Sequence, residues 1–161
     1  MARNPDEDVA NAIAARWQSC AALVAAVPGG LEQDRLTEAQ PGAHPKKARS
    51  LPYAMFKVSK LQDPELCTGG QAIHHAQVVI EVYGRKDDVE AALEILWQDP
   101  ATSAPVFARQ TLVMEGAVGR AAMAVLEMGG TDELRKDAAT KDADDLWVGE
   151  HQLHVMHHRQ L

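Results

Sequence analysis

Histidine is the residue type whose number and grouping in this sequence could support chemistry. The chain contains seven histidines, of which His74 and His75 are adjacent. Imidazole nitrogens bind zinc, and imidazole titrates close to neutral pH. A metal site or a pH-sensitive contact therefore has to be considered. A second group of histidines lies near the C-terminus: His151, His154, His157 and His158.

The spacing of the C-terminal histidines argues against a simple metal site. Period-two alternation and Gly149 favour a strand here, and strand residues three apart point to opposite faces. No cysteine or paired carboxylate stands nearby at ligand spacing. We therefore predict packed or solvated histidines, with no metal and no cofactor. The two predicted faces are His151, Leu153, Val155 and His157 on one side, and His154 and His158 on the other.

The motifs of common catalytic and nucleotide-binding sites are missing from the sequence. It contains no Gly-x-Ser-x-Gly, no Gly-x-x-x-x-Gly-Lys-Ser/Thr and no Gly-x-Gly-x-x-Gly. Gly116 and Gly119 have the bare spacing of a Gly-x-x-Gly nucleic-acid loop, but their flanks lack its basic, helical context. Cys67 precedes His74 without an acidic residue spaced to orient the imidazole. We predict no catalytic residue and do not expect an enzyme.

Charge is distributed unevenly along this acidic chain. The formal net charge is −7, yet residues 31–60 carry six basic and three acidic side chains. Residues 131–145 carry three basic and six acidic ones. Our hypothesis is that the basic loop of one copy contacts the acidic loop of a neighbouring copy. The residues concerned are Lys46, Lys47 and Arg49 in the basic loop, and Asp142, Asp144 and Asp145 in the acidic loop.

Length and composition are those of a single globular domain. The chain has 161 residues, of which 46% are apolar and 4% aromatic, so wholesale disorder is not expected. No run of about 18 apolar residues is present and the N-terminus is polar, so neither a membrane span nor a secretory signal is predicted. An acidic chain with so few aromatic residues is not expected to bind nucleic acid sequence-specifically or to bind a membrane.

Two amphipathic helices are predicted. Apolar residues recur every three or four positions and predict one helix over residues 6–27, with Cys20 buried in its apolar stripe. The second helix is predicted over residues 87–98. Asp87 is its expected N-terminal cap, and Glu90 three residues later completes a capping box.

Strands are predicted mainly from period-two alternation. The clearest lies at 73–84, where every second residue from Ala76 to Val82 is apolar. Residues 118–128 are compatible with helix or strand, and the flanking glycines favour strand. The predicted fold is α+β: an antiparallel or mixed sheet of about five strands with two helices on one face. The other predicted strands are 52–61, 110–115 and 146–158, with a short one within 31–36, and exposed loops are expected at 37–50 and 131–145.

The order of these elements resembles one family of viral assembly proteins. Leu51-Pro52-Tyr53 opens a strand after the first helix, and a strong strand ends in Val-Ile-Glu-Val-Tyr-Gly-Arg at Val79 to Arg85. A helix follows at once at Asp87 to Trp97, and a long loop precedes a final tryptophan-containing strand. Over about residues 8 to 158, this order resembles the tail-terminator proteins of long-tailed bacteriophages, also called tail-completion or minor tail proteins.

The resemblance implies a structural virion protein without catalytic residues. Members of the family form a hexameric ring that ends the tail tube and joins it to the head-side connector, so tail-tube and connector proteins would be partners. The chain would act in the host cytoplasm during assembly and afterwards in the virion. Its long loops leave a related neck or connector role open. The alternative is a small α+β enzyme or ligand-binding domain that uses the histidine groups, with or without a metal.

Overall fold

A mixed β-sheet with helices on one face forms the frame of the molecule. The computed structural model describes residues 5–33, 51–67, 71–107, 123–130, 134–136 and 146–160. Within these residues it contains three helices and six strands, which confirms the predicted α+β class. The helices are α1 (Pro5–Ser19), α2 (Ala21–Ala26) and α3 (Lys86–Trp97); the strands are β1 (Leu31–Gln33), β2 (Tyr53–Cys67), β3 (Gln71–Gly84), β4 (Met123–Gly130), β5 (Arg135–Lys136) and β6 (Trp147–Gln160).

Strand β3 occupies the centre of the sheet. The strand order is β1-β2-β3-β6-β4, and β5 also pairs with β6. β1 pairs with β2 in parallel, whereas the other described pairs are antiparallel. Each residue from Gln71 to Gly84 has a partner on β6. β3, which precedes α3, is therefore paired along its whole length with the C-terminal strand β6.

The apolar layer lies between the sheet and the helices. The predicted apolar face of β3 is buried, since Val78, Ile80 and Val82 are each 0% exposed. Side chains from all three helices pack against it in one cluster. The helical members of this cluster include Val9, Ile13 and Trp17 of α1, Leu23 of α2, and Val89, Leu93 and Leu96 of α3.

The first predicted helix, over 6–27, is two helices in the structure. It breaks at Cys20, whose backbone is extended (φ −91°, ψ 98°). The hydroxyl of Ser19 donates a hydrogen bond to the carbonyl oxygen of Arg16 at 2.7 Å, in competition with the helical hydrogen-bond ladder. Cys20 itself is buried in the core, as expected.

The predicted capping box of the second helix, over 87–98, is wrong. α3 begins at Lys86 after Arg85 as the N-cap, and no side chain makes a cap hydrogen bond there. Asp87 and Asp88 lie instead in the first turn, where their negative charge meets the positive end of the helix dipole.

Strand β2 runs six residues beyond its predicted end at residue 61. Asp-Pro pairs favour turns, but β2 continues through Asp63 and Pro64 to Cys67. Two register shifts, between Lys60 and Gln62 and between Gln62 and Glu65, absorb the irregularity. The described part of β1 pairs only with Ala54 to Phe56 of β2.

The remaining predicted elements are only partly described. The described part of 118–128 is strand, because β4 begins at Met123 and extends to Gly130. The predicted loop 131–145 contains β5, which pairs with the start of β6. The predicted strand 110–115 and the predicted loop 37–50 lie outside the described residues. No helix among the described residues is both long and apolar enough to cross a membrane.

Candidate functional site

The strand register brings together the two histidine groups of the sequence. On the antiparallel pair β3 and β6, His74 lies opposite His157, and Gln77 lies opposite His154. The predicted alternation is confirmed for three side chains: His151 and His157 are buried on the helix side, and His154 lies on the opposite side. The side chain of His158 lies outside the described residues.

The face of the sheet away from the helices is half-buried, and we call it the polar face. It is formed by alternate residues of β3 and β6 that do not contact the helices. At one end of this side of the sheet, Tyr53 and Tyr83 stack at 5.1 Å between ring centroids within a second, smaller apolar cluster. The half-buried side chains of the polar face are His75, Gln77, Val79, Glu81, Glu150, Gln152, His154 and Met156.

Two imidazoles on the polar face form a hydrogen-bonded pair. Nδ1 of His75 lies 2.8 Å from Nε2 of His154, so one ring donates and the other accepts. Nε2 of His75 lies 3.6 Å from Oε1 of Glu65, which forms an ion pair when His75 is protonated. The pair joins β3 to β6, and Glu65, near the C-terminal end of β2, contacts the pair through His75.

This pair offers nitrogen atoms to a metal but lacks a third ligand among the described residues. No group of three His, Cys, Asp or Glu side chains within them has a metal-binding arrangement. At 2.8 Å, the two nitrogens satisfy each other by a direct hydrogen bond. What the arrangement does is link β3 to β6 through one hydrogen bond between imidazoles.

His151 occupies the apolar layer on the other side of the sheet. Its ring is 0% exposed and meets the Trp97 ring edge-on, at 5.2 Å between centroids and an interplanar angle of 87°. Neither ring nitrogen has a hydrogen-bond partner among the described residues. Burial lowers the pKa of His151 from 6.5 to about 4, because the charged ring would lose its hydration. The ring is therefore neutral at neutral pH.

Trp97 also borders a groove of about 600 Å³ beside α3, which we call the Trp97 groove. Its indole is held on one side by the sheet: Cζ2 and Nε1 lie 3.6 Å from the position that a Cβ on Gly130 would occupy. Trp97 is nevertheless 43% exposed. The lining residues include Ala91, Glu94, Ile95, Trp97, Gln98 and Pro100.

Sequence reasoning missed both the histidine pair and this groove. The pair depends on the register of strands about 80 positions apart, which spacing along the chain does not reveal. The 3.6-residue period of the second predicted helix puts Trp97 on the apolar stripe with Val89, Leu93 and Leu96, but in the structure Trp97 is 43% exposed.

The predicted interface residues are not among the described parts of the chain. Their contact therefore stays a prediction. They are Lys46, Lys47 and Arg49 within residues 34–50, and Asp142, Asp144 and Asp145 within residues 137–145. A comparison with protein-family models and with curated proteins found no match for the chain.

Proposed function

We propose that the chain is a structural virion protein that resembles a phage tail terminator. In this role it assembles into a ring that ends the tail tube and joins it to the head-side connector. The observation that carries the proposal is the order of elements: N-terminal helices, the β2–β3 pair, α3 at once afterwards, and a C-terminal strand, all on one mixed sheet. This is the order in which the sequence resembles that family.

The polar face of the sheet supports a role in contacts between subunits. Val79 and Met156 are half-buried there, among polar groups that already have partners. The Tyr83 hydroxyl donates to Oε2 of Glu81 at 2.7 Å, and Nε2 of Gln152 donates to Oε2 of Glu150 at 3.3 Å. Non-obligate interfaces bury surfaces that mix apolar and polar area in this way.

The separation of charge supports head-to-tail contacts of the kind that close a ring. Residues 31–60 have a net charge of +3 (six basic minus three acidic), whereas residues 61–100 have a net charge of −6 (two minus eight). Two unlike surfaces on one subunit suit a heterologous interface, which closes into a ring when the rotation permits.

Oligomeric state is the direct test of the proposal. The purified full-length chain, with and without a chelator, should elute as a ring in sizing with light scattering and show six-fold particles in negative-stain micrographs. A chain that stays monomeric at every concentration tested would contradict the proposal.

The histidine pair on the polar face keeps the alternative testable in the same experiment. His75 and His154 would be the residues of a small enzyme or ligand-binding domain that uses a metal. A stable monomer with stoichiometric zinc, lost in His75→Gln and His154→Gln, would favour that function. A six-fold ring without metal would eliminate it.

The genetic neighbourhood supplies an independent test. Genes of a tail are commonly arranged beside the genes of their assembly partners, so flanking reading frames should encode tail-tube and connector proteins. Flanking frames that encode enzymes of small-molecule metabolism would count against a virion role.

A further inference from the structure

The Trp97 groove combines an exposed aromatic ring with a concave, acidic surface. Trp97 is one of the largest apolar side chains, is 43% exposed and lines the groove. Large aromatic residues in concave sites are the usual anchors of protein interfaces. An occupant of this groove would complete the burial of the indole ring.

The charge of α3 specifies the chemistry of that occupant. The helix contains four acidic residues and one basic residue. Its lysine, Lys86, lies over the ring of Trp147, 5.3 Å from the centroid, at the helix end about 12 Å along the axis from Glu94. Glu94 lines the groove and has no ion pair with another described residue. A positively charged segment therefore complements this surface.

We propose that the Trp97 groove receives the basic stretch that contains Lys46, Lys47 and Arg49 of a second copy of the chain. This inference rests on the ring proposed above and identifies one of its contacts. Residues 31–60 form the net positive block of the sequence, and three of their basic residues fall within four positions. Lysine and arginine suit an indole because their aliphatic stems pack on the ring and their cationic ends interact with its face.

The groove offers apolar area to the basic stretch, which the acidic loop around Asp142 does not. Asp142, Asp144 and Asp145 offer only carboxylates to the basic stretch, and ion pairs exposed to solvent contribute little to affinity. Trp97 offers apolar area beside the carboxylate of Glu94, so the same basic side chains gain both burial and charge complementarity.

Single charge reversals on α3 test the acidic half of the contact. Glu90 and Glu94 are both exposed on the same helix, but only Glu94 is among the groove residues. Glu94→Lys should weaken self-association by about tenfold or more, whereas Glu90→Lys should change it by about twofold or less. Association is measured by sedimentation velocity over a concentration series. Equal effects of the two reversals would show a general charge effect and overturn the assignment.

Truncation of the aromatic ring tests the apolar half. Trp97→Ala should also weaken association about tenfold. Its control is Val24→Ala, which removes a side chain of similar exposure (41%) from α2. Circular dichroism and a thermal melt identify a Trp97→Ala variant that has lost its fold. In that case the surface substitution Glu94→Lys, which leaves the indole in place, decides the question.

Mixing two variants tests whether the contact joins different copies. Glu94→Lys alone and the triple variant Lys46→Glu, Lys47→Glu, Arg49→Glu alone should each associate at least about tenfold more weakly than the wild type. In an equimolar mixture, each interface pairs either the two original surfaces or the two reversed ones, so assembly should return. Failure of the mixture to assemble would overturn contact between copies.

The outcomes separate this inference from the function on which it rests. A wild-type chain that never assembles contradicts the proposed ring itself. If the wild type forms a ring and the Trp97→Ala and Glu94→Lys variants form it equally well, the proposed function stands and only the groove as the contact is overturned.

Discussion

His151 is a titratable side chain enclosed in an apolar layer, so its protonation is coupled to folding. The ring is fully buried against Trp97, and its pKa is lowered to about 4 by loss of hydration. The unfolded chain has the ordinary value of 6.5. As the pH falls, the unfolded state therefore binds a proton before the folded state does.

Acidification should destabilise the protein through this residue. The contribution of the neutral ring is present in full above pH 6.5 and is lost as the pH falls to about 4, a loss of about 3 kcal/mol. His151→Leu, which keeps an apolar volume in place, should remove that part of the pH dependence. Urea unfolding at about pH 7.5 and about pH 4 measures it.

His154 on the polar face is the comparison for this experiment. His154→Gln leaves the buried ring unchanged, so it should retain the acid sensitivity that depends on His151. A His151→Leu variant that lost as much stability as the wild type over the same pH range would contradict the prediction.

Gly149 allows α3 to approach β6 closely. A Cβ at this position would lie 2.5 Å from Cδ1 of Leu93, 2.9 Å from Cδ2 of Leu134 and 3.0 Å from Cγ1 of Val89. Gly149→Ala should therefore destabilise the fold by about 1–3 kcal/mol through overpacking. Gly129→Ala is the matched control, because no heavy atom lies within 4 Å of its added Cβ. Equal unfolding free energies for the two variants would contradict this account.

At the scale of elements, Arg16 joins α1 to the segment that follows α3. Its Nε donates to the carbonyl oxygen of Val106 at 2.7 Å, and Nη2 lies 3.8 Å from Oδ2 of Asp99. Asp99 is 4% exposed, and its other carboxylate oxygen accepts from the backbone N–H of Ala101 at 3.0 Å. One side chain thus hydrogen-bonds the Val106 carbonyl and forms an ion pair with the buried Asp99 carboxylate, in a segment without helix or strand.

Arg16→Ala should lower the free energy of unfolding by about 1–3 kcal/mol, because the Val106 carbonyl loses its donor and the buried Asp99 carboxylate loses its ion-pair partner. Arg16→Lys should lie between the wild type and Arg16→Ala, since it keeps the charge near Asp99 but loses the Nε donor. Chemical denaturation of the three proteins at one pH measures the series. An Arg16→Ala variant within about 0.5 kcal/mol of the wild type would mean that water replaces the arginine.

Residue periodicity predicted those elements in which one local pattern dominates. The alternation from Ala76 to Val82 predicted the central strand, because the same side chains that favour a strand are buried by the helices. The break between the first two helices could not be read in this way; it coincides with a hydrogen bond from the Ser19 hydroxyl to the Arg16 carbonyl. A hydrophobic period does not register such competition for a backbone acceptor.

The histidine pair could be predicted even less, because it depends on the register between two strands that are distant in the sequence. Spacing along β6 correctly separated His151 from His154 by face, because alternation is a local property. The contact between His75 and His154 needs β3 and β6 as neighbours in a specific register. Local sequence carries no information about that pairing.

The molecule as a whole is asymmetric both in the packing of its helices on the sheet and in the distribution of its charge. The described helices pack on one face of the sheet, α3 is acidic, and the net positive charge is concentrated in residues 31–60. The sequence places the acidic and basic residues in separate segments, and the structure places the acidic α3 beside the Trp97 groove. Two surfaces of unlike chemistry suit repeated contacts between identical copies.

Self-association should therefore weaken with added sodium chloride. Raising the salt from about 0.1 M to about 1 M shortens the screening length from about 10 Å to about 3 Å, which removes most of the attraction between exposed opposite charges. The triple variant Lys46→Glu, Lys47→Glu, Arg49→Glu should associate weakly at low salt and show no such decrease. Trp97→Ala should associate weakly but keep the wild-type dependence on salt, because it removes apolar area and no charge. Sedimentation velocity at four or five salt concentrations gives the slope of the association constant against salt concentration for each protein. Parallel slopes for the wild type and the triple variant would place the ionic contact elsewhere in the chain.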